Sequence, residues 1–192
     1  MKKVFLAVTL AAILGLVGCS SASTSQTAPQ ASPPVSTPST TTSASPAPQV
    51  FKAVIMAVNK SGVKGEATVR VNGTTMQVEI SATGLVPGKT HAQHIHGMPN
   101  SASACPPASS VIIPESGAEK YYGQVLVALE PFATASAAGA TTYSASVEAS
   151  SAAPGISVLP LEGRAIVLHG LMVKGKYDPS VPVGCGELKL QP

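Results

Sequence analysis

Glu66-Ala67-Thr68-Val69-Arg70-Val71-Asn72-Gly73-Thr74-Thr75-Met76-Gln77-Val78-Glu79-Ile80 is the stretch on which the fold turns. Ala67, Val69 and Val71 alternate with Glu66, Thr68 and Arg70; Met76, Val78 and Ile80 then alternate with Gln77 and Glu79. Successive side chains of a strand point to opposite faces, so this period of two describes two strands, each with one apolar and one wet face. Asn72-Gly73 between them is a strong short-range hairpin signal, because both residues tolerate the positive φ of a tight turn. Working outward, Val54-Ile55-Met56-Ala57-Val58 is a short apolar run followed by a turn at Asn59 to Gly62. Further strand-like segments are Val125 to Leu129, Tyr143 to Ala149, Arg164 to His169 and Glu187 to Leu190. No segment carries a helical apolar stripe, and Met98 to Lys120, rich in Pro, Ser and Ala, reads as a long loop pinned by Cys105. The expectation is an all-β fold, an antiparallel sandwich or barrel.

The N-terminal end sets the expected compartment. Lys2 and Lys3 precede an uncharged apolar run, Val4 to Val17, and Leu16-Val17-Gly18-Cys19 places small residues before a cysteine. The run is shorter than the roughly 20 residues of a membrane span, and the pattern is that of a signal peptide with a lipoprotein cleavage site. The alternative is an ordinary secretory signal with a chance cysteine. On the lipoprotein reading residues 1–18 leave, Cys19 is lipidated, and acyl chains hold the chain to the bacterial cell membrane or outer membrane on the extracytoplasmic side. Residues 19–48 are Ser, Thr, Ala, Pro and Gln with Val35 the only larger apolar residue after Cys19. Such a segment buries too little to offset its ordering entropy and reads as a tether stiffened by proline. Residues 49–192 remain as one β domain, long enough for a single core.

Charge excludes one class of partner. The net charge is +3, but losing Lys2 and Lys3 leaves ten basic against nine acidic residues, a net of +1. There is no basic stripe with interleaved aromatics, so no nucleic-acid partner is expected. With Cys19 lipidated, Cys105 and Cys185 are left in an oxidising compartment and read as a disulfide.

Three of the four histidines lie in His91-Ala92-Gln93-His94-Ile95-His96. On a strand, His94 and His96 project to one face and Ile95 to the other, while His91 has the opposite parity. His169 ends the apolar run Ala165 to Leu168. A pair on one strand and a single histidine from another is a way to build a three-imidazole site, and neutral imidazole suits copper, zinc, nickel and iron. Met98, two residues after His96, and Met172, three after His169, are possible soft ligands for Cu(I); packing filler is the alternative.

Gly84-Leu85-Val86-Pro87-Gly88-Lys89-Thr90-His91-Ala92-Gln93-His94-Ile95-His96-Gly97 resembles the copper,zinc superoxide dismutase family, in which a Gly-Leu-x-Pro-Gly turn leads into a His-x-x-His-x-His strand. Gly163-Arg164 through His169 looks like that family's Gly-Arg-x-x-x-x-His strand, and Gly184-Cys185-Gly186 like its closing strand. Cys105 follows His96 where the family has its first disulfide cysteine. The resemblance spans most of Phe51 to Leu190 and implies a Greek-key antiparallel β-sandwich or flattened barrel. It also implies one copper ion on His94, His96 and His169, with His91 as a brace that fixes a neighbouring loop without binding the metal.

The departures bear on activity. Cys105 to Leu168 contains no histidine and no aspartate, so the family's zinc site and its bridging histidine are absent. Pro182 stands where the family places an arginine that guides superoxide. Lys174 and Lys176 could partly replace that field, or be solvated loop lysines. Three functions remain open: a copper-binding envelope lipoprotein without fast dismutation, exchanging copper with a donor or acceptor; a copper-only dismutase turning superoxide into oxygen and hydrogen peroxide; and a metal-free envelope interaction module with an unknown protein partner.

Overall fold

The computed structural model describes residues 47–107 and 112–192, which fall in the compact unit Ala44–Pro192. The expected signal segment, Cys19 and nearly all of the expected tether lie outside the described residues. Strands β1 (Gln49–Ala57), β2 (Lys64–Asn72) and β3 (Thr75–Thr83) come first, followed by β4 (Thr90–His91) and β5 (Gln93–Gly97). Helix α1 (Glu115–Tyr122) precedes β6 (Gln124–Ala128), β7 (Ala133–Thr134) and β8 (Thr141–Glu148). The chain closes with β9 (Ala165–Val173), β10 (Lys176–Glu187) and β11 (Lys189–Leu190). No helix among the described residues is long and apolar enough to cross a membrane.

The alternating stretch forms the hairpin β2–β3, in register from Lys64↔Thr83 to Asn72↔Thr75. Asn72 closes the ladder instead of occupying the turn, and Gly73 takes the first central position with φ +61°. Positive φ at that position is the requirement of a type II′ turn, whose twist matches the flanking strands. Ala67, Val69, Val71, Met76, Val78 and Ile80 are all buried, as the period of two demands. β1 continues the pattern with Phe51, Ala53 and Ile55 inside, while Val54 and Met56 face solvent.

All strand pairs are antiparallel, and the main sheet runs β6-β5-β9-β10-β1-β2-β3-β8. β10 returns from the end of the chain to lie beside β1, so three strands linked in sequence and a returning fourth stand in Greek-key order. The sheet curls around one large apolar core, giving the all-β flattened barrel that the alternation predicts.

The segment expected to be a plain loop, Met98 to Lys120, contains most of helix α1. The helix is eight residues long, starts at Pro114 without a side-chain cap, and buries only Ala118 and Tyr122. So short a helix is marginal by itself and leaves no readable stripe. It is held by docking on a second apolar cluster made of Val58, Ala165, Val167 and Cys185. Asn59 secures the approach: its Nδ2 donates to the carbonyls of Ile113 and Pro182, each at 2.9 Å, and its Oδ1 accepts from Ile113 N–H at 2.7 Å. Cys105 and Cys185 form a disulfide with Cα atoms 5.6 Å apart, closing 80 residues of separation. In the chain-entropy description a loop of that length is worth about 4.5 kcal/mol.

Candidate metal centre

β5 and β9 are neighbours, with His94↔Val167, Ile95↔Ile166 and His96↔Ala165 in register. Ile95, Ile166 and Leu168 point into the barrel core. His94, His96 and His169 therefore share the opposite face with Ala165 and Val167, the face on which α1 is docked. A helix over that face explains why Ala165 to Leu168 is buried without interruption, since a strand covered on both sides has no polar alternation to show.

The three rings converge. Centroids lie 4.9 Å apart for His94 and His169, 5.6 Å for His94 and His96, and 5.7 Å for His96 and His169. One ring nitrogen from each lies within 4.8 Å of the others, the one such group of His, Cys or carboxylate donors among the described residues. A metal about 2.0–2.1 Å from each nitrogen has ligand nitrogens roughly 3.3–4 Å apart.

The second nitrogens fix which atoms face inward. His96 Nδ1–H donates to the Gly123 carbonyl at 3.0 Å, which leaves Nε2 as a lone pair. That Nε2 is buried and without a hydrogen-bond partner. His169 Nδ1–H is directed at the Ser180 carbonyl, 3.1 Å away, so its Nε2 is also a lone pair. It faces His94 Nδ1 at 3.2 Å, and the tautomer that satisfies both has His94 Nδ1–H as donor. The convergent set is thus His94 Nδ1, His96 Nε2 and His169 Nε2, and His94 would carry its proton on Nε2 instead of Nδ1 to act as a ligand. An orphaned buried nitrogen aimed at two other imidazole nitrogens costs stability in the empty protein. A metal ion removes that cost, so the residues present fit one.

Burial lowers the pKa of all three. His94 and His96 fall to about 4, His96 against the pull of its Gly123 hydrogen bond and with a further push from His94. His169 falls to about 3, through burial and then through its two neighbours. All three are neutral at physiological pH, the form in which imidazole binds metal.

His91 sits on β4, outside the group, as its parity predicts. It is 1% exposed; its Nδ1–H donates to the His169 carbonyl at 2.8 Å and its Nε2 stands 3.2 Å from the Val86 carbonyl. It braces the backbone of a group member against the turn before β4. Gly170, φ +112°, makes room for this arrangement: a Cβ there would fall on the Tyr177 hydroxyl and 2.8 Å from His91 Nδ1. Met98 Sδ accepts the Ser101 hydroxyl at 3.0 Å, and Met172 is 44% exposed. Pro182 pairs with His169 across β9–β10, so a neutral residue flanks the site there. Lys174 and Lys176 are exposed around the β9–β10 turn.

Four neighbours carry no signal in the sequence. Tyr122 lies edge-on to His96 with centroids 4.5 Å apart, and Phe132 packs on His94 at 5.5 Å. Gly123 supplies the carbonyl for His96. Glu115 places Oε2 2.8 Å from the Tyr122 hydroxyl, which donates to it, and 3.3 Å from His169 Nδ1. Burial pushes the Glu115 carboxyl up against the opposing effect of Tyr122, and burial also pushes the Tyr122 phenol up. Because His169 is neutral and its Nδ1–H is directed at Ser180, its contact with Glu115 is a close polar approach and not an ion pair.

Fold and site define a class: an all-β protein with three convergent neutral imidazoles that could hold one metal ion. No known family model matches the chain, and no curated protein matches it in sequence.

Proposed function

We propose that this chain is an extracytoplasmic lipoprotein, anchored through Cys19, whose β domain binds one copper ion through His94, His96 and His169. The observation that carries the metal is the buried, unpartnered His96 Nε2 facing two further imidazole nitrogens. Copper is favoured over zinc by the Irving–Williams order and by the motif likeness to copper,zinc superoxide dismutases. That kinship is itself part of the proposal: the histidines matched by the motifs are the ones that converge, and His91 braces from outside the group.

Copper, when bound, supplies one-electron chemistry. The protein's part is to hold three neutral donors, to keep His169 oriented through His91 and Ser180, and to cover the site with Tyr122 and Phe132. Fast dismutation is not part of the reading. No histidine between Cys105 and Leu168 is available as a bridge, and Pro182 offers no guiding charge. Binding, storage or transfer of copper to a partner in the envelope suits the residues better.

A Cu(II) titration of the intact chain, read by electron paramagnetic resonance, tests this. One tight equivalent with nitrogen hyperfine structure, lost in His94→Ala and His169→Ala, is the expected result. Binding indifferent to both variants overturns it. The anchor is tested separately: radiolabelled fatty acid should enter the wild type and not Cys19→Ala.

A further inference from the structure

Helix α1 meets the histidine group at both its ends. At its C-terminal end Tyr122 packs on His96, and the adjoining Gly123 carbonyl receives His96 Nδ1–H. At its N-terminal end Glu115 reaches His169. The Glu115 carboxylate is only partly satisfied there. Oε2 accepts from the Tyr122 hydroxyl at 2.8 Å and stands 3.3 Å from His169 Nδ1, whose N–H is directed at Ser180, while Oε1 is buried with no hydrogen-bond partner. A half-satisfied carboxylate beneath an eight-residue helix is a standing cost, and an apolar residue would seat the helix better.

We infer that Glu115 is a positioning residue for the metal group, acting through His169: together with the Ser180 carbonyl it holds the proton on Nδ1 and keeps Nε2 turned inward as a lone pair. The inference deepens the metal-binding reading and rests on it. The Ser180 carbonyl, 3.1 Å from Nδ1, gives direction from one side. Glu115 adds the one carboxylate within 4 Å of the ring among the described residues. A carboxylate behind a ligating imidazole fixes its tautomer and raises its basicity, and losing such a partner typically costs 10–100-fold in metal affinity. Tyr122 in turn holds Glu115, so one short helix sets the orientation of two ligands from opposite ends.

The test uses the intact, disulfide-bonded chain with Glu115→Ala, Glu115→Gln and, as a control on the same helix, the exposed Glu119→Ala. Two readouts are taken. In the metal-free protein, long-range proton–nitrogen correlation spectra report the His169 tautomer. The wild type and Glu119→Ala should hold Nδ1–H, and Glu115→Ala should populate Nε2–H. With Cu(II), Glu115→Ala should weaken binding by about 10–100-fold. Glu115→Gln, which keeps an acceptor oxygen but no charge, should bind within a few-fold of wild type with an altered parallel hyperfine splitting. A Glu115→Ala protein with the wild-type tautomer and unchanged affinity overturns the inference, even if its melting temperature falls. If wild-type copper binding ignores the histidines, the proposed function fails, and the metal-free spectra still decide whether Glu115 sets His169.

Discussion

Lowering the pH from about 7.5 to about 5.5 separates a preorganised neutral site from three ordinary histidines. An imidazole with the usual pKa near 6.5 is about ten-elevenths protonated at pH 5.5, and each such ligand raises the apparent Kd roughly elevenfold, so three would cost about 1,000-fold. In the folded protein His94 and His96 lie at about 4 and His169 at about 3. Proton competition at pH 5.5 is then below about 10% per ligand, and the affinity of the folded protein for Cu(II) should hold within about twofold. Calorimetry in two buffers of different ionisation heat checks this directly. Fewer than about 0.3 protons should be released per metal at pH 5.5, against nearly three for ordinary imidazoles. The same shifts act on stability with the opposite consequence. Below pH 6.5 the unfolded chain takes up protons that the native histidines refuse, so metal-free stability falls as pH drops and levels off once the folded values near 4 are passed. Each fully buried histidine contributes about 1.4 kcal/mol at pH 5.5, and about 3 kcal/mol in all once the half-buried His94 is discounted for solvent screening. A thousandfold loss of affinity with nearly three protons released, in protein that remains folded, would refute the reasoning.

Gly170→Ala should disturb His91 and Tyr177 and, through the His169 carbonyl, lower Cu(II) affinity at least tenfold while costing about 1–3 kcal/mol of stability, measured by denaturant titration; unchanged affinity would detach His91 from the site. Reducing Cys105–Cys185 should lower stability by up to about 4.5 kcal/mol and weaken metal binding, because Cys185 packs in the cluster that seats α1. Loss of stability alone would mean the helix stays docked without the bond. Asn59→Ala removes three buried or half-buried hydrogen bonds and should destabilise the fold by about 2–4 kcal/mol, with faster amide exchange in α1 than in β2 or β3. Superoxide decay with the copper-loaded chain should be no faster than with the same copper in buffer; a large excess rate lost in His169→Ala would restore the dismutase reading.

The sequence by itself determined the β character and most of the histidine group. Period-two alternation in Glu66 to Ile80 is a local signal, since a strand's two faces are written into neighbouring residues, and it fixed which side chains enter the core. The same parity separated His94 and His96 from His91. Two cysteines left after Cys19 pointed to the disulfide. What only the tertiary structure decided is the ceiling over that group. Helix α1 has no side-chain cap and no stripe, and its place is set by contacts with Val58, Val167 and Cys185, which are distant in sequence. Tyr122, Gly123, Glu115 and the Ser180 carbonyl reach the histidines only because β9, β10 and α1 pack together, and the depressed pKa values follow from that burial. Periodicity reports which face a residue occupies; what covers that face depends on long-range packing, which no local pattern encodes.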